Sequence, residues 1–151
     1  MIDKLLNLIV VVTSTFFAST TFSIATVDHP ARMGAKVITE GHESFKRTLS
    51  LIRQRDLCFI TITTSIINLL FFNDNFLDKS VNLINFLSIG GILIFTAISI
   101  LPINAKLTSN QELSHQEIKN LMISWGKLHV IRTIPSVINA IILLSRFVMF
   151  T

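Results

Sequence analysis

Apolar residues along this chain gather into four runs, at 5–27, 57–72, 81–103 and 125–150, separated by polar connections. A helix crosses a bilayer's hydrocarbon core with about 20 residues at about 1.5 Å rise each. Three runs meet that length, and the second falls short. It is expected to begin upstream, in 45–55, where Phe45, Leu49 and Ile52 share one helical face while Lys46, Arg47 and Arg53 lie elsewhere. The pattern predicts one domain over 1–151 with helices at about 5–27, 45–72, 81–103 and 120–150. The expected fold class is all-α, an integral membrane up-and-down four-transmembrane-helix bundle.

Composition agrees with the pattern: half of the residues are apolar and only 15% are charged, a balance foreign to soluble domains. The net charge of +4 is spread unevenly rather than gathered into a nucleic-acid-binding patch. Arg32, Lys36, Lys46, Arg47, Arg53 and Arg55 lie between helices one and two, and Lys106, Lys119 and Lys127 between three and four. Only Lys4, Lys79 and Arg146 lie on the other side. By the positive-inside rule the two long connections face the cytoplasm and both termini face outward, in the inner membrane of a bacterial cell. Ser23 and Ala25 sit where a signal peptide is cut, but an uncleaved first helix is expected. The single cysteine, Cys58, excludes an intramolecular disulfide and Cys-x-x-Cys redox chemistry, and reads as a small apolar residue.

Helix one is rich in hydroxyls, from Thr13 to Thr26, which read as packing groups that bond back to their own helix. Pro30 disfavours helical geometry at His29, so helix one should end or bend there. Asn73-Asp74-Asn75 supplies turn chemistry before helix three, and Gly90 and Gly91 offer a flat surface to a neighbour. Pro102 should interrupt the end of helix three and leave carbonyls for Asn104 to bond, or leave Asn104 facing a ligand. Ser114 and Glu117 have capping-box spacing at the start of helix four, and Pro135 predicts a kink beyond His129.

The candidate chemistry lies on helix four. Trp125, His129 and Arg132 recur at i, i+4 and i+7 and share one helical face. Arg132 lies about 10 Å deeper than Trp125 at 1.5 Å per residue. An arginine at the bilayer centre costs about 2.5 to 3.5 kcal/mol, so it needs water or a partner, for which Asp28 or a proline-freed carbonyl is a candidate. His29, Arg32 and Asn104 come from helix ends on the same inner side. An up-and-down bundle would bring them together with Trp125, His129 and Arg132 in one pocket, opening to the cytoplasm or sideways to lipid. Taken singly, each has a plainer use: Arg and His reaching the headgroups, Trp as an interfacial anchor, Asn104 ending a helix.

Other chemistries find little support. His42 and His115 read as solvated loop residues, which leaves His29 and His129 as the pair for any metal or haem. No Gly-x-Ser-x-Gly elbow, phosphate-cradling glycine loop or carboxylate pair is present.

At three places the chain resembles a family of small four-helix integral membrane proteins, mostly of unknown function, that includes the fungal anthrone oxygenases. The matching pieces are Asp28-His29-Pro30-Ala31-Arg32, Pro102-Ile103-Asn104, and Trp125-x-x-x-His129-x-x-Arg132. The resemblance implies oxidation of a flat, apolar, weakly acidic substrate without a cofactor. His129 or His29 would be the base, Arg132 and Asn104 the enolate stabilisers, and Trp125 with Arg32 the binding surface.

Three functions follow as expectations. The first is an anthrone oxygenase-like oxidoreductase for a lipophilic aromatic or quinone-like molecule. The second is a non-catalytic lipid- or quinone-binding subunit or assembly factor, and the third a haem or metal protein using His29 and His129. Membrane lipid and a small lipophilic aromatic are the expected partners, with self-association or a membrane complex left open.

Overall fold

A computed structural model of the chain describes residues 2–51, 54–71, 76–109 and 113–150. All regular secondary structure among them is helical. Helix α1 (Ile2–Ser23) passes through a π-helical turn, Ile24–Asp28, into α2 (His29–Met33). Helices α3 (Ile38–Leu51) and α4 (Gln54–Phe71) follow. Helix α5 (Phe76–Phe95) passes through a second π turn, Thr96–Ile100, into α6 (Leu101–Thr108), and α7 (His115–Phe150) completes the fold. The expected Asn73-Asp74-Asn75 turn lies outside the described residues.

Pro30 does not end its helix, one of the two outcomes expected there, and the interruption expected at Pro102 takes the form of a π turn rather than a helix end. A proline removes one backbone donor and crowds the carbonyl four residues back. Both strains are met by widening the turn just before it. His29 N–H donates to the Ile24 carbonyl and Leu101 N–H to the Thr96 carbonyl, in i to i−5 bonds. Each proline then enters the first turn of the next helix, where no N–H is required. Helix one therefore runs on to Met33, where the Gly34 N–H closes the turn on the Pro30 carbonyl at 2.9 Å. Helix three runs on to Thr108.

The start of α7 follows the expected capping box. Ser114 N–H donates to Glu117 Oε2 at 2.9 Å, and Glu117 N–H donates to Ser114 Oγ at 3.3 Å. Beyond it α7 is one helical element through Pro135. The hydroxyls of Thr133 and Ser136 donate to the carbonyls of His129 and Arg132, both at 2.8 Å.

Helices α1 and α5 each pack against both α4 and α7. Among the described residues three helices are long and apolar enough to cross a membrane, Lys4–Met33, Lys79–Thr108 and His115–Met149, and Cys58–Phe71 is a shorter apolar helix. Large apolar side chains face outward, Phe16 at 64% and Ile98 at 71% exposure, while Asn68, Asn85, Ser65 and Asn139 are buried. In water this arrangement would forfeit hydrophobic stabilisation, whereas in lipid the outward apolar surface costs nothing and buried polar groups bond one another.

The helix-one hydroxyls serve packing, as expected: Thr13 and Thr15 donate to the carbonyls of Ile9 and Val11, and Thr20 to that of Phe16. Ser14 instead enters a buried network that the sequence reading missed. Asn85 Oδ1 accepts from Ser14 Oγ at 3.2 Å and from Asn139 Nδ2 at 2.7 Å. Asn85 Nδ2 donates to Ser65 Oγ at 2.6 Å. One side chain on α5 thus joins α1, α4 and α7.

The glycines divide in a way that the sequence did not indicate. A Cβ on Gly90 or Gly91 would meet nothing within 4 Å, so these residues do not form the flat contact expected of them. Gly41 and Gly126 are the tight ones: a Cβ on Gly41 would press on the backbone carbonyl of Arg32, and one on Gly126 on the His29 ring. Thermal unfolding in one detergent should find Gly91→Ala neutral or stabilising by up to about 1 kcal/mol. Gly41→Ala should lose about 1 to 3 kcal/mol, because backbone rather than a movable side chain must yield. Equal effects of the two substitutions would contradict this division.

Candidate functional site

The two π turns and the first part of α7 surround a cavity of about 390 Å³. That volume lies near the small end of the range for ligand pockets, roughly 300 to 1,000 Å³. Most of its wall is apolar, from Phe17, Ile24, Cys58, Ile92, Leu93 and Ile100. Its polar groups include Arg32, Asn104, His129 and Arg132, with Trp125 beside them. Five of the six residues singled out in the sequence therefore meet in one wall.

Their order follows from helix geometry. Trp125, His129 and Arg132 rise along one face of α7 and are nearly fully buried, at 2%, 3% and 5% exposure. Arg32 and Asn104 each lie two residues beyond their proline, and α2 and α6 bring both to the cavity wall.

Trp125 is the centre of the arrangement. Its ring packs on His129 at 3.9 Å between centroids and edge-on against Phe45 at 5.0 Å. Its Nε1–H donates to Asn104 Oδ1 at 2.8 Å. Because the indole can only donate, this bond fixes the Asn104 amide and leaves its Nδ2 hydrogens as the donors available to a ligand. Asn104 thus bonds the tryptophan, where the sequence suggested a carbonyl or a ligand.

Arg132 Nη2 lies 3.2 Å from Nδ1 and 3.3 Å from Nε2 of His129. Near-equal distances put the guanidinium across the imidazole rather than on one lone pair. Its Cζ also stands 5.8 Å from the Phe17 ring centroid, within cation–π range. Asp28, a candidate partner for Arg132, instead pairs with Arg32 one turn along its own helix, at 3.7 Å. Arg32 also lies over the Phe45 ring at 5.7 Å.

His29 is placed differently from the expectation. It stands outside the cavity wall, against the indole at 5.8 Å between centroids, and against Gly126, where any Cβ would collide with its ring. His29 and His129 both rest on Trp125. Among the described residues no group of three or more His, Cys, Asp or Glu side chains is placed to hold a metal.

His42 is not the solvated loop residue expected. It is buried on α3, with Nε2 2.6 Å from the Leu107 carbonyl, and it fastens α3 to α6. His115 is exposed at the start of α7. Cys58 is buried in the cavity wall beside Phe17, Ile89 and Ile92. The apolar wall was illegible in the sequence, because Phe17, Ile92 and Ile100 look like any other residues of an apolar run.

Comparison of the chain with family models, with curated proteins and with solved structures gave no match.

Proposed function

We propose that this protein is an anthrone oxygenase-like membrane oxidoreductase acting on a lipophilic aromatic or quinone-like molecule held in the cavity. The observation that carries the reading is the buried His129–Arg132 pair at 3.2 Å, set in an apolar cavity against Trp125. A proton on carbon next to a carbonyl-bearing ring system is removed by an unprotonated imidazole, and the negative charge collects on the ring oxygen. A guanidinium beside that imidazole is placed to receive the charge, in surroundings where its effect is little weakened by water.

In the reaction the substrate's methylene carbon would lose both hydrogens to oxygen chemistry. One atom of dioxygen becomes the new carbonyl and the other leaves as water, with the electrons coming from the substrate carbanion. His129 takes the proton, Arg132 and the Asn104 Nδ2 hydrogens face the enolate oxygen, and Trp125 stacks on the rings. The apolar wall excludes water from the carbanion.

The proposal includes a four-helix membrane bundle in which α4, packed beside the spanning helices, makes the fourth crossing. Both termini face outward, and the two long connections lie on the cytoplasmic side of a bacterial inner membrane. The basic connections between helices support that orientation.

A non-catalytic subunit that binds lipid or quinone would use the same cavity. It is favoured by how fully His129 is packed, with one face on Trp125 and both nitrogens beside Arg132. Oxygen uptake with flat hydroxylated aromatics in the presence of the purified protein separates the two. The enzyme reading expects turnover that falls about 10²- to 10⁴-fold in a folded His129→Ala variant. Turnover at the wild-type rate in His129→Ala and Arg132→Ala would sink it.

A further inference from the structure

Pro102 leaves a backbone carbonyl at the cavity without a helical donor. In an α-helix each carbonyl accepts from the N–H four residues on, and in a π turn from the N–H five residues on. At Ala97 both are lost: the Leu101 N–H is drawn to the Thr96 carbonyl, and residue 102 is a proline with no N–H. No side chain among the described residues donates to Ala97 in their place. Asn104, the residue expected to bond a freed carbonyl, gives its oxygen to Trp125 and makes no bond here.

The place of this carbonyl decides what it can do. Ala97 lines the cavity and is also exposed. Helix carbonyls point along the axis toward the C-terminal end, which aims this one toward Leu101 and Asn104, both in the wall. Lipid tails carry no donor, and an unpaired peptide group at membrane depth is costly. The first π turn supplies the contrast. Its Ala25 carbonyl loses the same two donors, because the His29 N–H goes to Ile24 and residue 30 is proline, but Ala25 is not in the cavity wall.

The hydroxyls of the wall cannot serve the carbonyl either. Thr48 and Thr96 spend their single hydrogens on the carbonyls of Ser44 and Ile92, at 2.9 and 2.7 Å. Toward a ligand both can then only accept, as Ala97 does.

We propose that the Ala97 carbonyl is the binding group for a hydroxyl on an apolar body, which donates its hydrogen there while its hydrocarbon lies against Phe17, Ile92 and Ile100. This rests on the reading of the cavity as a ligand site and adds to it a backbone group and a chemical class, a lipophilic alcohol or phenol in its neutral form. A chain alcohol and a ring hydroxyl share this chemistry.

Trp125 is the only tryptophan in the chain and forms part of the wall, so its fluorescence reports occupancy directly. The probes are 9,10-dibromooctadecanol and its methyl ether, which cannot donate. A flat-ring arm uses 6-bromo-2-naphthol and its methyl ether, at a pH where the naphthol is neutral. All are added to the purified full chain. The expected result is saturable quenching by at least one hydroxyl compound at concentrations about three- to tenfold below its ether, the range for one hydrogen bond between neutral groups. Which arm quenches more tightly tells a chain ligand from a ring ligand. Pro102→Ala supplies the missing N–H and should cut the preference to within about twofold, and it removes a helix breaker, so the variant is expected to fold. Pro30→Ala at the first π turn should leave the preference as in the wild type. In the wild type, carbon-13 at alanine carbonyls with nitrogen-15 in isoleucine marks the peptide bonds Ala97–Ile98 and Ala140–Ile141. The Ala97 carbonyl resonance should move downfield with the hydroxyl probe and not with its ether, while that of Ala140 stays.

Equal quenching within both pairs, or an Ala97 resonance that the hydroxyl probe leaves in place, overturns the assignment but leaves the cavity a ligand site. A preference that survives Pro102→Ala overturns it as well. Absence of saturable quenching by all four probes overturns both this proposal and the ligand-site reading beneath it. The wild-type measurements need no variant, so a misfolded Pro102→Ala protein does not rescue the claim.

Discussion

Trp125→Ala destabilises the protein by about 3 to 5 kcal/mol, the range for removing a large buried aromatic side chain. The loss is expected at the high end because one ring serves four partners. It meets Phe45 of α3, His29 of α2 and His129 of its own helix, and it bonds Asn104 of α6. Truncation opens a void among these elements and leaves the Asn104 oxygen without its donor. Trp125→Phe separates the two contributions: it keeps most of the ring and loses only the hydrogen bond, for about 1 kcal/mol. Reversible unfolding in mixed micelles measures both. A fully stable Trp125→Ala variant would show that the indole does not hold these helices together, and equal losses in the two variants would assign the effect to the hydrogen bond alone.

The second large effect is expected at the other polar centre. Asn85→Leu removes three hydrogen bonds at once and takes from Ser14 Oγ and Asn139 Nδ2 the acceptor that they share, while Ser65 keeps its bond to the Thr61 carbonyl. Intramembrane side-chain hydrogen bonds average about 0.6 kcal/mol and reach about 1.7, so the three together are worth about 2 to 5 kcal/mol. Asn139→Ala removes one of them and should cost about a third as much. Neither residue lines the cavity, so the folded fraction of each variant should keep the wild-type turnover expected of the enzyme reading. If Asn85→Leu proved as stable as the parent, the network would not be a determinant of the fold. If it abolished turnover in a folded sample, the network and the cavity would be coupled.

These two centres divide the interior of the bundle. The cavity gathers the charged and aromatic groups at the level of the two π turns. The amide network lies elsewhere in the interior, where α1, α4, α5 and α7 are tied by neutral groups. Between them lies an apolar layer of Phe17, Cys58, Ile89 and Ile92. Arg132 stands at its edge, over Phe17.

What the sequence by itself determined was the set of long apolar helices and the residues worth watching. Apolar runs of membrane length restrict the backbone to helix, because unpaired peptide groups cannot be left in lipid. The helical period then puts Trp125, His129 and Arg132 on one face whatever surrounds them. The Ser114–Glu117 capping box was legible for the same reason, being a local bond between residues three apart.

Tertiary structure decided the rest, wherever the outcome depended on residues distant in the chain. A proline's local rule predicted an end or a bend near Pro30 and an interrupted ladder at Pro102, yet both segments stay helical and the irregularity goes into the π turns at Ile24–Asp28 and Thr96–Ile100. His29 and His129 looked alike in sequence, but Gly126 leaves room for His29 behind the indole while His129 faces the cavity. His42 looked solvated until α6 supplied the Leu107 carbonyl. Asn85 looked like one amide in an apolar run, and only the approach of three other helices made it a hub. In each case the residue's surroundings come from a different helix, and a helical period records which face a side chain occupies but not what that face meets.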